Sequence, residues 1–72
     1  ITVNAIAPGA VVSEAENRVF GDRLAEYNSF ILKNQSVKAR ILAEDVANLA
    51  VFLASDEARM ISGQNIGIDG GW

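Results

Sequence analysis

The stretch Pro8-Gly9-Ala10-Val11-Val12-Ser13-Glu14-Ala15-Glu16 holds the groups of this chain whose types and spacing could do chemistry. The Ser13 hydroxyl can donate one hydrogen bond while accepting others. Glu14 and Glu16 offer a pair of carboxylates, the equipment of general acid–base catalysis. A plainer reading competes. Ser13-x-x-Glu16 is a capping box, in which Ser13 opens a helix and Glu14 and Glu16 lie on its solvated face. The chain has no Cys, hence no thiol nucleophile, disulfide frame or thiolate metal site. It has no His, so a zinc site would need carboxylates alone. No metal site is expected.

The elements that must position this stretch follow from hydrophobic patterning. Residues 1–7 are nearly all apolar, the pattern of a strand buried on both faces of a parallel sheet. Pro8 has no backbone N–H and Gly9 tolerates unusual dihedrals, so the ladder is expected to end there. A strand, a tight turn and a helix start make the place where open α/β sheets bind ligands. From the residues alone, Pro8-Gly9 reads more readily as a strand terminator than as a ligand contact. A helix is expected from Glu14 to about Val19, with Gly21 breaking it and Asp22 capping the next. That second helix, to about Asn34, carries Phe20, Leu24, Tyr27 and Ile31 as one stripe. Residues 35–42, with Lys38 and Arg40, read as a connecting loop.

Residues 43–55 give the strongest helical pattern, with Glu44 and Asp45 in the first turn, where the helix dipole favours negative charge. Val46, Leu49, Ala50 and Leu53 form its core stripe, yet Ala47, Val51, Phe52 and Ala54 are apolar as well. Such a helix must be covered on more than one side: the sheet would cover one, and a partner subunit is a candidate for the other. Ile66 and Ile68 alternate with Gly67 and Asp69 in a strand over 64–69, stopped by Gly70-Gly71. Strand, helices and strand in that order imply a crossover between parallel strands. Two strands are too few for a stable sheet. At 72 residues, opening on Ile1 and half hydrophobic, the chain is expected to be a piece of a larger domain.

The net charge is −3 and no basic stripe runs along one face, which argues against nucleic-acid binding. The longest strongly apolar run, Val46 to Ala54, is far shorter than the roughly 20 residues of a membrane span. The expectation is a cytoplasmic protein that engages neither nucleic acid nor membrane.

At this point the residues carry a resemblance. "VNAIAPGAVVS" and "EDVANLAVFLASDEARMISGQNIGIDGGW" resemble the C-terminal third of the short-chain dehydrogenase/reductase family. Pro-Gly and Asp-Gly-Gly are weak signals singly; their combination at this spacing, with "FLASDEA" and "ISGQ" between, is specific. Residues 14–42 fall in the family's variable substrate-lid region and match only in helical character. The resemblance implies an α/β fold, the strand-helices-strand tail of a Rossmann-like, doubly wound parallel sheet. It implies NAD or NADP as cofactor and hydride transfer to or from a small alcohol or carbonyl substrate. It assigns Pro8, Gly9, Val11 and Ser13 to cofactor binding: Pro8-Gly9 sets the turn, the Val11 backbone meets the nicotinamide carboxamide, and Ser13 reaches the carboxamide or phosphates. Ser13 stands where the family usually has Thr, and Ala43 where it commonly has Pro.

The family's Ser, Tyr and Lys trio cannot be assigned here, so the 72 residues by themselves are expected to be inactive and to contain no catalytic residue. Tyr27 and Lys33 are not the pair. The family spaces them by four residues, on one helix face, whereas a spacing of six turns them about 240° apart. Tyr27 is expected in the lid or core, and Glu14 and Glu16, beside an anionic cofactor, as solvated carboxylates. Asn4 in an apolar strand needs a partner and reads as a structural link. Trp72 fits either a subunit contact or an exposed end. The family commonly pairs the helix over 43–55 and the last strand across a two-fold axis, which implies a dimer or tetramer. The rival reading is a non-catalytic assembly module that keeps only the tail of the fold.

Overall fold

The computed structural model describes all 72 residues. Its elements are β1 (Ala5–Pro8), α1 (Glu14–Phe20), a 3-10 turn (Gly21–Arg23), α2 (Leu24–Asn34), α3 (Ala43–Leu53), a second 3-10 turn (Asp56–Ala58) and β2 (Asn65–Ile68). The strands pair in parallel, in register from Ala5 opposite Asn65 to Pro8 opposite Ile68. The ladder ends at Pro8-Gly9, as expected, with Pro8 itself paired as the last residue of β1. Pro8 can pair because of the alternation of a strand: Ala5 and Gly9 donate to Gln64 O (2.8 Å) and Ile68 O (2.9 Å), so the Pro8 nitrogen faces the opposite edge and no bond with β2 is lost.

Burial on both faces is not found. Ile1 and Val3 are exposed and precede the strand; within β1 only Ile6 is even half-buried. Two strands with α3 packed against β1 present one covered face. The radius of gyration, 14.6 Å, exceeds the roughly 11 Å of a compact chain this long, and only five residues are buried. Ile31, Ile41, Glu16 and Gln35 are four of them, so burial gathers around the loop and helices beyond β1 more than under the sheet.

Before β1, Asn4 Nδ2 donates to Ile61 O and Asn4 Oδ1 accepts from Gln64 N–H, both at 3.0 Å. Asn4 thus ties the approach to β1 to the turn leading into β2, a structural role as read.

The helix ends show where local signals prevailed. Gly21 closes α1 with φ +50° and donates its N–H to Asn17 O. Asp22 does not cap α2. The 3-10 turn runs directly into that helix, and the Gly21 carbonyl receives the Leu24 N–H, leaving Asp22 no vacancy to fill. At α3, Leu42 occupies the N-cap and has no side-chain acceptor. Asp45 supplies the missing half: its Oδ2 accepts the Leu42 N–H at 2.8 Å, and its own N–H donates to Leu42 O at 2.9 Å. The start that a proline would stiffen is held by a carboxylate instead. The helix stops at Leu53, two residues before the expected end, because Ser55 turns its hydroxyl back onto Phe52 O at 2.5 Å.

Candidate functional site at the turn after β1

Beyond Pro8 the chain turns within five residues. The Val11 N–H donates to Gly9 O at 3.0 Å, and the Val12 N–H donates to Ile41 O at 2.8 Å. Val11 and Ile41 form a lone parallel bridge, so the segment before α3 lies alongside the turn like a third strand one residue long.

Gly9 is needed here for space, not for unusual dihedrals. Its φ is not positive; a Cβ would meet Asp69 Cα at 3.0 Å and Ile41 Cδ1 at 3.3 Å. The end of β1 can approach the end of β2 this closely because position 9 carries no side chain.

Ser13 sits at the N-cap of α1 in extended conformation (φ −148°, ψ 162°), but its hydroxyl makes no capping bond. The expected capping box does not form. Its second member is engaged elsewhere: Glu16 is buried, and its Oε1 accepts from Arg40 Nη2 in an ion pair. Glu16 is accordingly not on a solvated face, whereas Glu14 is exposed. The physical reason is a competing partner. A fixed guanidinium in a dry setting outbids a backbone N–H for a carboxylate.

Arg40, read from sequence only as part of a loop, is the hub of the site. Nη1 donates to Asn28 Oδ1, Nη2 also donates to Ala10 O at 3.2 Å, and the guanidinium carbon stands 5.5 Å from the centre of the Tyr27 ring. No sequence spacing signals these partners, which lie 12, 30 and 24 residues away for Asn28, Ala10 and Glu16. Tyr27 itself stacks on Phe20, with centroids 4.0 Å apart and rings 13° from parallel. Lys33 is exposed and takes no part.

Next to Ser13 lies an open recess of about 440 Å³. Val12 and Ser13 wall it from the turn, Asn17 from α1, Leu24 and Asn28 from α2, and Arg40 from the loop. Arg40 and Glu16 neutralise each other, which leaves the Glu14 carboxylate as the unpaired charge of the recess beside its hydroxyl and amide groups. No group of three or more acidic or other metal-binding side chains stands together. No helix is long and apolar enough to cross a membrane.

The family model described as enoyl-(acyl carrier protein) reductase matches residues 1–72, the whole chain. The chain belongs to the short-chain dehydrogenase/reductase family. Among curated relatives, D-beta-hydroxybutyrate dehydrogenase of Rhizobium meliloti is 36% identical over 80 residues, covering 100% of this chain and 31% of the relative. Among solved structures, 4-hydroxyisoleucine dehydrogenase complexed with NADH superposes with a TM-score of 0.80 at 39% identity, over 100% of this chain and 27% of that one. An NADPH-dependent reductase involved in bacilysin biosynthesis gives a TM-score of 0.84 at 35% identity, over 99% of this chain and 29% of that one. The Rossmann-like α/β fold read from the sequence is thus shared with members of the family. The chain spans about three-tenths of their length or less.

Proposed function

We propose that these residues form the nicotinamide-side wall of an NAD- or NADP-dependent oxidoreductase that transfers hydride to or from a small alcohol or carbonyl substrate. One observation carries the reading. At the turn after β1, the Val11 carbonyl and the Ser13 hydroxyl have no hydrogen-bond partner within the chain, and Ser13 borders the recess. A carboxamide presents one donor group and one acceptor. The Val11 carbonyl would accept from its NH₂, and the Ser13 hydroxyl would donate to its oxygen. The Val11 N–H is already turned onto Gly9, so the carbonyl is the half of that backbone left to bind.

Pro8 and Gly9 set this geometry, Gly9 by letting the ends of β1 and β2 approach. When bound, the nicotinamide supplies the hydride acceptor or donor. The α1–α2 pair forms the lid of the substrate recess. The proton is handled by a Tyr and Lys outside these 72 residues, so the isolated piece is inactive. The names of the two solved structures, one an NADH complex and the other NADPH-dependent, support the cofactor class. The exposed apolar residues of α3 support a homo-oligomer through α3 and β2.

The test is fluorescence titration of the full-length protein with NADH and NADPH, wild type beside Ser13→Ala. Ser13 makes no cap bond, so its loss should change stability by less than about 0.5 kcal/mol. Cofactor affinity should fall roughly 2- to 12-fold, the worth of one hydrogen bond. A full-length protein that binds neither cofactor would be the assembly module instead.

A further inference from the structure

We infer that Arg40 is a positioning residue that couples the α1–α2 pair to the cofactor-side turn, so that ordering one orders the other. The inference rests on the proposed cofactor site and extends it to a residue that does not touch the cofactor.

The geometry is that of a clamp. Arg40 leaves the loop before α3 and reaches three other parts of the chain at once: Ala10 O in the turn, Glu16 on α1 and Asn28 on α2. Its side chain is 12% exposed and that of Glu16 is 9% exposed, so water does not compete freely for these bonds. Ala10 directly precedes Val11, and the neighbouring Ile41 carbonyl holds the Val12 N–H. The loop therefore grips the turn on both sides of Val11, by side chain and by backbone. Apart from Arg40, the turn and the two helices share no long-range side-chain hydrogen bond; Glu16 N–H to Ser13 O is a local bond of the helix start. Fixing the turn by a ligand on Val11 and Ser13 fixes Ala10 O and hence the guanidinium. The planar fork then holds Glu16 and Asn28 in place. Lysine, a single ammonium, cannot hold all three acceptors in that geometry.

Hydrogen exchange on the full-length protein, with and without saturating NADH or NADPH, tests this. In the wild type, cofactor should slow exchange at least threefold across residues 14–34. In Arg40→Gln, and more mildly in Arg40→Lys, NADH should still bind, yet that protection should be lost. Should Arg40→Gln not fold, Arg40→Lys and Asn28→Ala carry the test. A variant that binds NADH and keeps wild-type protection of 14–34 overturns the coupling, because a merely structural arginine would lower the melting temperature and leave the response intact. Wild type that binds NADH without protecting 14–34 overturns it too. Wild type that binds neither cofactor removes the proposed function itself, a different result read from the titration.

Discussion

The side chain of Gln35 lies directly over the bare Cα of Gly70: a Cβ there would stand 2.5 Å from Gln35 Cδ and 2.7 Å from Nε2. Gln35 is 1% exposed, and its Nε2 donates to Val37 O at 2.7 Å and Ala39 O at 2.6 Å. The Val37 N–H in turn donates to Gly70 O at 2.8 Å. The end of β2 and the loop that delivers Arg40 are therefore one packed unit. Gly71 extends it, since a Cβ there would meet Ser36 Cβ at 2.9 Å. This is the physical content of the terminal Asp-Gly-Gly: Asp69 Oδ1 accepts the Gly71 N–H at 2.9 Å and turns the chain, and the two glycines leave room for the loop.

Gly70→Ala should accordingly be costly in the full-length protein. Gly70 has φ +64°, which disfavours an L-residue by roughly 1–2 kcal/mol. Overpacking against Gln35 adds about 1–3 kcal/mol. Gly63 is the control, with φ +74° and open space where its Cβ would go, so Gly63→Ala should show the first cost alone. Urea titration reads both. Equal losses would mean that Gln35 moves aside freely and the unit is not packed as described.

Gly9→Val should weaken NADH binding far more than Glu14→Gln. The added side chain would press on Asp69 Cα and Ile41 and separate the strand ends that support Val11. Glu14 is exposed in the first turn of α1, and neutralising it removes a dipole interaction worth roughly 0.3–1 kcal/mol. Comparable affinities for the two variants, by fluorescence titration, would detach Gly9 from the cofactor site.

On α3, Val51 is 71% exposed and Phe52 41% exposed, while Val46, Leu49 and Leu53 on the core stripe are half-buried. If α3 pairs across a two-fold axis, Phe52→Asp places a charge in the contact twice over. Light scattering at matched concentration should then show a dimer or tetramer for wild type and dissociation for the variant. A monomeric wild type, or a variant that stays assembled, would remove the interface and leave the cofactor site standing.

Much of the framework was legible because its signals are local. The helical stripe of α3, the break at Gly21 and the alternation of Ile66 and Ile68 each depend on neighbours within one or two turns. Asn4 was legible for a related reason, since a lone polar residue in an apolar run must find a partner. Ser13 and Glu16 were misread together. The capping-box pattern describes what the two residues can do for each other, and it holds only when neither has a stronger partner. Arg40 is that partner, and it approaches from 24 residues away.

What this amino-acid sequence determined by itself was the order of elements and the family, because each is written in short-range pattern. Tertiary structure alone decided how the turn after β1 is held. Arg40 with Glu16 and Asn28, Gln35 against Gly70, and Gly9 against Asp69 are contacts between segments far apart in the chain. Periodicity reports which face of an element is apolar; it carries no term for which distant charge or bare Cα will be brought against that face. Folding brings these groups together, and low exposure then makes a carboxylate prefer a guanidinium to the helix end it was placed to cap.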